Sequence, residues 1–206
     1  MTTMMRFSRL HRRLLLRAIA GASVAAVLAA CDHGARPAFQ GTDITGLDLG
    51  QNLALEDHQG RARTMKDFTG KVAVVFFGFI QCPDVCPTTL ANLAQVMRSL
   101  GPDSDRVQVV FVTLDPERDT QAILARYVTQ FDARFLGLRG DLAATERAAK
   151  SFKVHYAKVP ARPGSDYTVE HSTGLYLFDP TVQTRVLARY TASVEAMVSD
   201  IRQLLG

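Results

Sequence analysis

The most informative stretch of the chain is Val72-Ala73-Val74-Val75-Phe76-Phe77-Gly78-Phe79-Ile80, an unbroken β-branched and aromatic run. A strand covered on one face alternates apolar and polar residues, so an unbroken run predicts a strand buried on both faces, central in a sheet. Val107–Leu114 is a second run of the same kind, and Leu136–Leu138 reads as a short third. Between and after these runs the period changes to that of a helix. Leu90, Leu93, Val96, Met97 and Leu100 share one face of a helix predicted over Thr88–Leu100 and ended by Gly101-Pro102. Thr120–Phe131 carries Ile123, Leu124 and Tyr127 on one face, Leu142–Phe152 is Ala-rich and helical, and Ala192–Leu205 closes the chain with Val194, Met197, Val198, Ile201 and Leu205 inward.

Two hairpins complete the pattern. Leu53–Glu56 and Ala62–Met65 flank the turn residues His58-Gln59-Gly60, and Ser172–Asp179 and Thr184–Tyr190 flank Pro180-Thr181. Lys158–Thr168, with Pro160, Pro163 and Gly164, reads as a loop or small insertion. Strand, helix, strand, helix, then a hairpin and a last helix is the order of a thioredoxin-like α/β sandwich: a central mixed sheet flanked by helices, here with an N-terminal hairpin. The predicted domain covers residues 47–206, preceded by a polar tether over residues 31–46.

The chain has 206 residues, is 47% hydrophobic and 21% charged, and carries a net charge of +4. That composition suits one packed domain and excludes a disordered or collagen-like chain. The positive charge would invite nucleic acid as a partner if it were spread over the domain. It is not: Arg6, Arg9, Arg12, Arg13 and Arg17 precede residue 31 with no acidic residue among them, and without those five the remaining 19 basic residues face 20 acidic ones. Nucleic acid is therefore not an expected partner. The same Arg-rich start is followed by an apolar run, Ala18 to Ala30, whose thirteen residues span ~20 Å as a helix against a hydrocarbon core of ~30 Å. Residues 1–30 accordingly read as an export signal rather than a membrane span. Leu28-Ala29-Ala30-Cys31 resembles a bacterial lipobox, which would make Cys31 the lipidated first residue of the mature chain. Asp32 stands where enteric lipoproteins carry their inner-membrane retention signal. Whether lipidated at Cys31 or held by an uncleaved signal anchor, the domain is expected on the periplasmic side of a bacterial inner membrane, where thiols are exposed to oxidation.

Beyond Cys31 the chain has two cysteines, both in Gln81-Cys82-Pro83-Asp84-Val85-Cys86-Pro87 directly after the central strand. At the end of a strand and the start of a helix, amide donors and the helix dipole favour thiolate, the form that attacks disulfides and binds metals. The C-x-x-x-C spacing departs from the C-x-x-C of thioredoxin-type catalysts. It permits a disulfide, and it also leaves room for a third metal ligand.

Three segments carry a resemblance to a known family. They are Phe76-Phe77-Gly78-Phe79-Ile80-Gln81-Cys82-Pro83-Asp84-Val85-Cys86-Pro87-Thr88-Thr89-Leu90, the later Val112-Thr113-Leu114-Asp115-Pro116-Glu117-Arg118-Asp119-Thr120, and Glu170-His171-Ser172-Thr173-Gly174-Leu175 with the strand that follows. Together they resemble the Sco/SenC family of copper-binding proteins, and the likeness runs from about Leu47 to Leu205. It implies that Cys82, Cys86 and His171 are the copper ligands, and that the Asp115–Asp119 segment lies near the metal loop. Gln81 and Gln121 stand where many members carry other residues, without removing a ligand. The donor set is chemically apt, since thiolates dominate the preferences of Cu(I) and mixed sulfur and nitrogen ligation suits Cu(II). Structural zinc would want a fourth Cys or His, and none is evident in the sequence. His33, His58 and His155 read as solvated or hydrogen-bonded residues rather than ligands.

The resemblance implies a membrane-tethered copper metallochaperone whose partners are the copper-A subunit of cytochrome c oxidase and a further periplasmic copper chaperone. The rival expectation is a thiol-disulfide oxidoreductase that reduces the oxidase subunit's cysteines through Cys82 or Cys86 and has no use for His171. A peroxidase would want a different Thr-x-x-Cys setting, and a copper buffer would share every ligand with the chaperone.

Overall fold

The computed structural model describes residues 38–161 and 166–206. The expected export signal, Cys31 and residues 31–37 of the expected tether lie outside them. Among the described residues no helix is long and apolar enough to cross a membrane.

The apolar runs become strands of an eight-stranded mixed sheet. Its elements are β1 (Thr42–Asp43), β2 (Ala54–Asp57), β3 (Ala62–Thr64), β4 (Val72–Gly78), β5 (Val107–Thr113), β6 (Leu136–Arg139), β9 (Leu175–Phe178) and β10 (Thr184–Ala188). The order across the sheet is β1-β10-β9-β4-β5-β6-β2-β3, which puts β4 in the interior. β4 runs parallel to β5, and β5 to β6, while β9, β10, β2 and β3 join antiparallel. Among the described residues four α-helices cover this sheet: α1 (Val85–Leu100), α2 (Gln121–Thr129), α3 (Leu142–Ser151) and α4 (Val194–Leu205). This is the thioredoxin-like α/β architecture that the element order predicts.

The side-chain alternation of a strand sorts the core into two layers. Val72, Val74 and Phe76 of β4 pack with Leu90, Leu93 and Met97 of α1, Leu124 and Val128 of α2, and Met197 and Ile201 of α4. Ala73, Val75 and Phe77 face the other way, against Ala148 and Ala149 of α3, Phe152, and the Met65–Phe68 turn of 3-10 helix. Phe152 meets Phe77, Tyr176 and Phe178 edge-on at centroid distances of 5.0, 5.3 and 5.8 Å. All seven residues of β4 are buried, as a strand covered on both faces requires.

Two elements differ from expectation. The Lys158–Thr168 stretch is not simply a loop: β7 (Tyr156–Pro160) and β8 (Tyr167–His171) form a separate antiparallel hairpin, with Tyr156 opposite His171 and Pro160 opposite Tyr167. All but one of its residues are half- or fully exposed, so little hydrophobic alternation marks it, and Pro160 is tolerated because it ends a strand of a two-stranded ribbon. The first helix begins at Val85, three residues before the predicted start, which draws Cys86 and Pro87 into its first turn. At the other end, Thr42 and Asp43 already pair with Leu187 and Val186 of β10. The buried carboxylate of Asp200 on α4 receives the backbone N–H groups of Gln40 (2.7 Å) and Gly41 (2.9 Å) beside that pairing.

Candidate metal centre

The site forms where β4 stops. After Gly78 the chain turns through Phe79 and Ile80, and the Cys82 amide donates to the Phe79 carbonyl at 3.2 Å, which sets the cysteine at the tip of the turn. Asp84 caps α1 by position without a side-chain bond to the helix amides. The free N–H of Cys86 in the first turn instead points at the Cys82 sulfur, 3.4 Å away. A helix start leaves such donors unsatisfied, and Pro87 has none to compete, so the sulfur takes the place a capping oxygen usually fills.

The two thiols are unlike. Cys82 is half-exposed and Cys86 is buried; both are free thiols. The Cys86 thiol donates a hydrogen bond to Cys82, the Cys86 and Asp84 amides add theirs, and nearby His171 contributes, which together outweigh desolvation and lower the Cys82 pKa to about 5. Cys86 moves the other way, held protonated by the bond it gives to Cys82 and by its own burial. One sulfur is thus a thiolate at neutral pH while the other keeps its proton.

Cys86 sits deep because Gly78 admits it. A Cβ on Gly78 would stand 2.6 Å from the Cys86 sulfur and 2.8 Å from the Phe111 ring, so only a residue without a side chain lets the sulfur pack onto the end of β4. Below the thiols lies Asp119, whose carboxylate accepts the Ile80 amide at 3.1 Å and the Thr113 hydroxyl at 2.5 Å. Burial pushes this carboxyl up despite those bonds, and its charge in turn disfavours ionisation of Cys86.

His171 ends β8. Its Nδ1 is 2.8 Å from the Ser172 carbonyl, which can only accept, so Nδ1 carries a proton and in the neutral ring Nε2 is the nitrogen left with a lone pair. The ring stands edge-on to Phe79, with centroids 6.2 Å apart at 87°. His171 and Cys86 line one small cavity with Val85, Thr89, Gly174 and Tyr190. The structure therefore brings Cys82 and Cys86 together and sets His171 beside them. It does not close the three into a coordination shell: among the described residues no three His, Cys, Asp or Glu donors stand close enough to hold one ion. His58 is occupied otherwise, its Nδ1 accepting the Gly137 amide at 3.1 Å, and the backbone amide of His155 bonds the Ser172 hydroxyl at 3.1 Å.

Two hydrogen-bonded thiols and an adjacent imidazole fit a soft metal that accepts low coordination, and supply one donor too few for tetrahedral zinc. Sequence reasoning passed over Gly78 as part of an apolar run, and Arg118 as one letter of an acidic turn. Arg118 bonds Gln81 next to Cys82 and the Tyr167 carbonyl in the hairpin, each at 2.9 Å, contacts that no local pattern announces.

A thioredoxin-like sheet whose central strand delivers an asymmetric thiol pair to a helix start, with a histidine brought alongside by a hairpin, defines a thiol-based metal or redox protein. The SCO1/SenC family profile matches residues 42–206, and the chain belongs to that family. Its members act in copper binding and cytochrome c oxidase assembly. Among curated proteins it is similar to the mitochondrial SCO2 homolog of Mus musculus, 40% identical over 154 residues that cover 74% of this chain and 60% of the mouse protein. Among solved structures it is similar to Bradyrhizobium japonicum ScoI with copper bound, at 35% identity and a TM-score of 0.68, covering 80% of this chain and 99% of that one. The apo Sco1 protein of Thermus thermophilus superposes with a TM-score of 0.73 at 36% identity, covering 84% of this chain and all of that one.

Proposed function

We propose that this protein is a copper metallochaperone that holds copper through Cys82, Cys86 and His171 and passes it to the copper-A site of cytochrome c oxidase during assembly. The observation that carries the reading is the pre-ionised, half-exposed Cys82 beside the buried Cys86 thiol and the free Nε2 of His171. Copper is the cargo. Cys82 meets it first, being accessible and already ionised; Cys86 loses its proton as it joins; and His171 completes the set by moving in from the cavity wall. Release reverses the order as a partner's thiols and imidazoles replace these ligands one at a time. Oxidation of Cys82 and Cys86 to a disulfide would empty the site, which makes the redox state of its surroundings a condition for loading. We place the domain on the periplasmic face of a bacterial inner membrane, anchored through Cys31, with a further periplasmic copper chaperone as the donor. The copper-bound structure of the Bradyrhizobium relative supports the choice of metal.

The same asymmetry favours a second reading. An exposed thiolate of low pKa next to a buried protonated thiol is the arrangement of an attacking and a resolving cysteine, so reduction of a disulfide in the oxidase subunit would proceed from Cys82 through a mixed disulfide that Cys86 resolves. That chemistry needs no His171.

The test is an anaerobic titration of the reduced full-length protein with Cu(I) against competing chelators, repeated with Cys82→Ala, Cys86→Ala and His171→Ala. One tightly held equivalent that requires all three residues supports the chaperone. Copper retention indifferent to His171, together with a reversible disulfide that exchanges with an oxidase-subunit peptide, would transfer the assignment to the reductase.

A further inference from the structure

Arg118 lies in the turn after β5 and touches both the Cys82 loop and the hairpin whose second strand ends in His171. Its Nε is paired with Asp115. Its Nη1 donates to the Gln81 side chain (2.9 Å), one residue before Cys82, and to the carbonyl of Tyr167 (2.9 Å), at the start of the strand that ends in His171; Asp166 is at 3.4 Å. The guanidinium lies 3.7 Å from the centre of the Tyr167 ring, whose hydroxyl donates to Asp115 at 2.8 Å. Lys158 of β7 approaches that ring to 4.5 Å and also pairs with Glu117. The hairpin is thus attached to the Asp115–Arg118 turn at several points, and Arg118 continues to the thiol loop. Tyr167 and Gln81 are far apart in sequence, so the hairpin's place beside the thiol loop is set by tertiary contacts, the Arg118 bonds and the Phe79–His171 ring contact among them.

We infer that Arg118 is a positioning residue that locks the β7–β8 hairpin to the Cys82 loop and so fixes the distance His171 must travel to reach the thiols. The inference rests on the metal-site reading above and names a residue outside the ligand set. Arginine is needed because a single side chain must donate in two directions from Nε and Nη1 while its guanidinium lies over a ring, which the compact ammonium of a lysine cannot do. Arg118 Nη2 is buried without a hydrogen-bond partner, so its seating is set by the other contacts rather than by full satisfaction of its donors.

The experiment compares wild type with Arg118→Ala, Arg118→Lys, Gln81→Ala, His171→Ala and the double variant Arg118→Ala/His171→Ala, all as full-length protein. In the reduced, metal-free state the imidazole NMR signals of His171 are expected to be sharp in wild type and broadened by exchange in Arg118→Ala and Arg118→Lys. With Cu(I), Arg118→Ala is expected to weaken binding by about 10–100-fold, the range for residues that orient ligands. It should add little once His171 is gone. Gln81→Ala removes one acceptor from an exposed side chain without threatening the fold and should move both readouts the same way, by less. Unchanged His171 signals in Arg118→Ala, or in Gln81→Ala and Arg118→Lys should Arg118→Ala not fold, would overturn the inference. So would an Arg118 effect on copper that adds in full to that of His171→Ala. If His171→Ala alone binds copper as tightly as wild type, the ligand assignment fails, while the metal-free NMR comparison still decides what Arg118 does.

Discussion

Replacing Gly78 by Ala tests how β4 builds the thiol pair. The backbone there does not need a glycine for its conformation; the constraint is space, with the new Cβ 2.6 Å from the Cys86 sulfur and 2.8 Å from Phe111. Non-bonded heavy atoms settle near ~3.5–4.0 Å, so the sulfur must withdraw by about 1 Å and the ring by nearly as much. Phe111 is fully buried against Phe76, at 5.1 Å between centroids, and Tyr127, at 5.7 Å, so it has little room to yield. Overpacking of this kind costs about 1–3 kcal/mol, measurable as a shift in the denaturation midpoint with unchanged slope. The withdrawing sulfur is also the donor that holds Cys82 ionised, so the Cys82 pKa should rise from about 5 by roughly one unit or more. The alkylation rate at a single pH is a poor measure of this, because a thiolate of higher pKa is scarcer but intrinsically more nucleophilic, and which effect wins depends on the pH chosen. The informative assay is the midpoint of the full pH profile of iodoacetamide alkylation. A Gly78→Ala protein with wild-type stability and an unmoved Cys82 midpoint would sink this account of the pair.

Other consequences follow from single contacts. Cys86→Ala deletes the same donor outright, so the Cys82 midpoint should climb well above 5 toward the ordinary thiol range, read from the ultraviolet absorbance of the thiolate against pH. Asp57 is buried at the end of β2; burial raises its pKa, but the Arg61 and Gln59 amides and the guanidinium groups of Arg63 and Arg61 outweigh that and lower it to about 2. Because the folded value lies below the unfolded one, this carboxylate's contribution is full above about pH 4 and is lost as pH falls through 2. Asp57→Ala should therefore cost about 1–3 kcal/mol at neutral pH and make the acid limb of the stability profile shallower, and an unchanged acid limb would contradict this. Asp200→Ala strands the Gln40 and Gly41 amides beside the β1–β10 pairing, and amide exchange at Thr42 and Asp43 should accelerate while that at β4 stays slow.

Local patterns were enough to reveal the layers and the adjacent pair of thiols. Period-2 and period-3.6 repeats are direct consequences of backbone geometry, so the unbroken run of β4, the faces of α1 and α4 and the turn at His58-Gln59-Gly60 were all legible without a fold. The cysteines were legible for a related reason, since their proximity to each other and to a strand end is written in adjacent residues. The hairpin of β7 and β8 was not. Its strands hide little apolar surface and are held by Arg118, Tyr167 and Lys158 reaching the Asp115–Asp119 turn, contacts between residues tens of positions apart. It took the folded chain to tell the two thiols apart, with Cys82 ionised and Cys86 protonated. That difference comes from the hydrogen bond that the Cys86 thiol gives to Cys82, from depth of burial and from which sulfur receives the helix amide, and the depth of Cys86 depends on the glycine that ends β4.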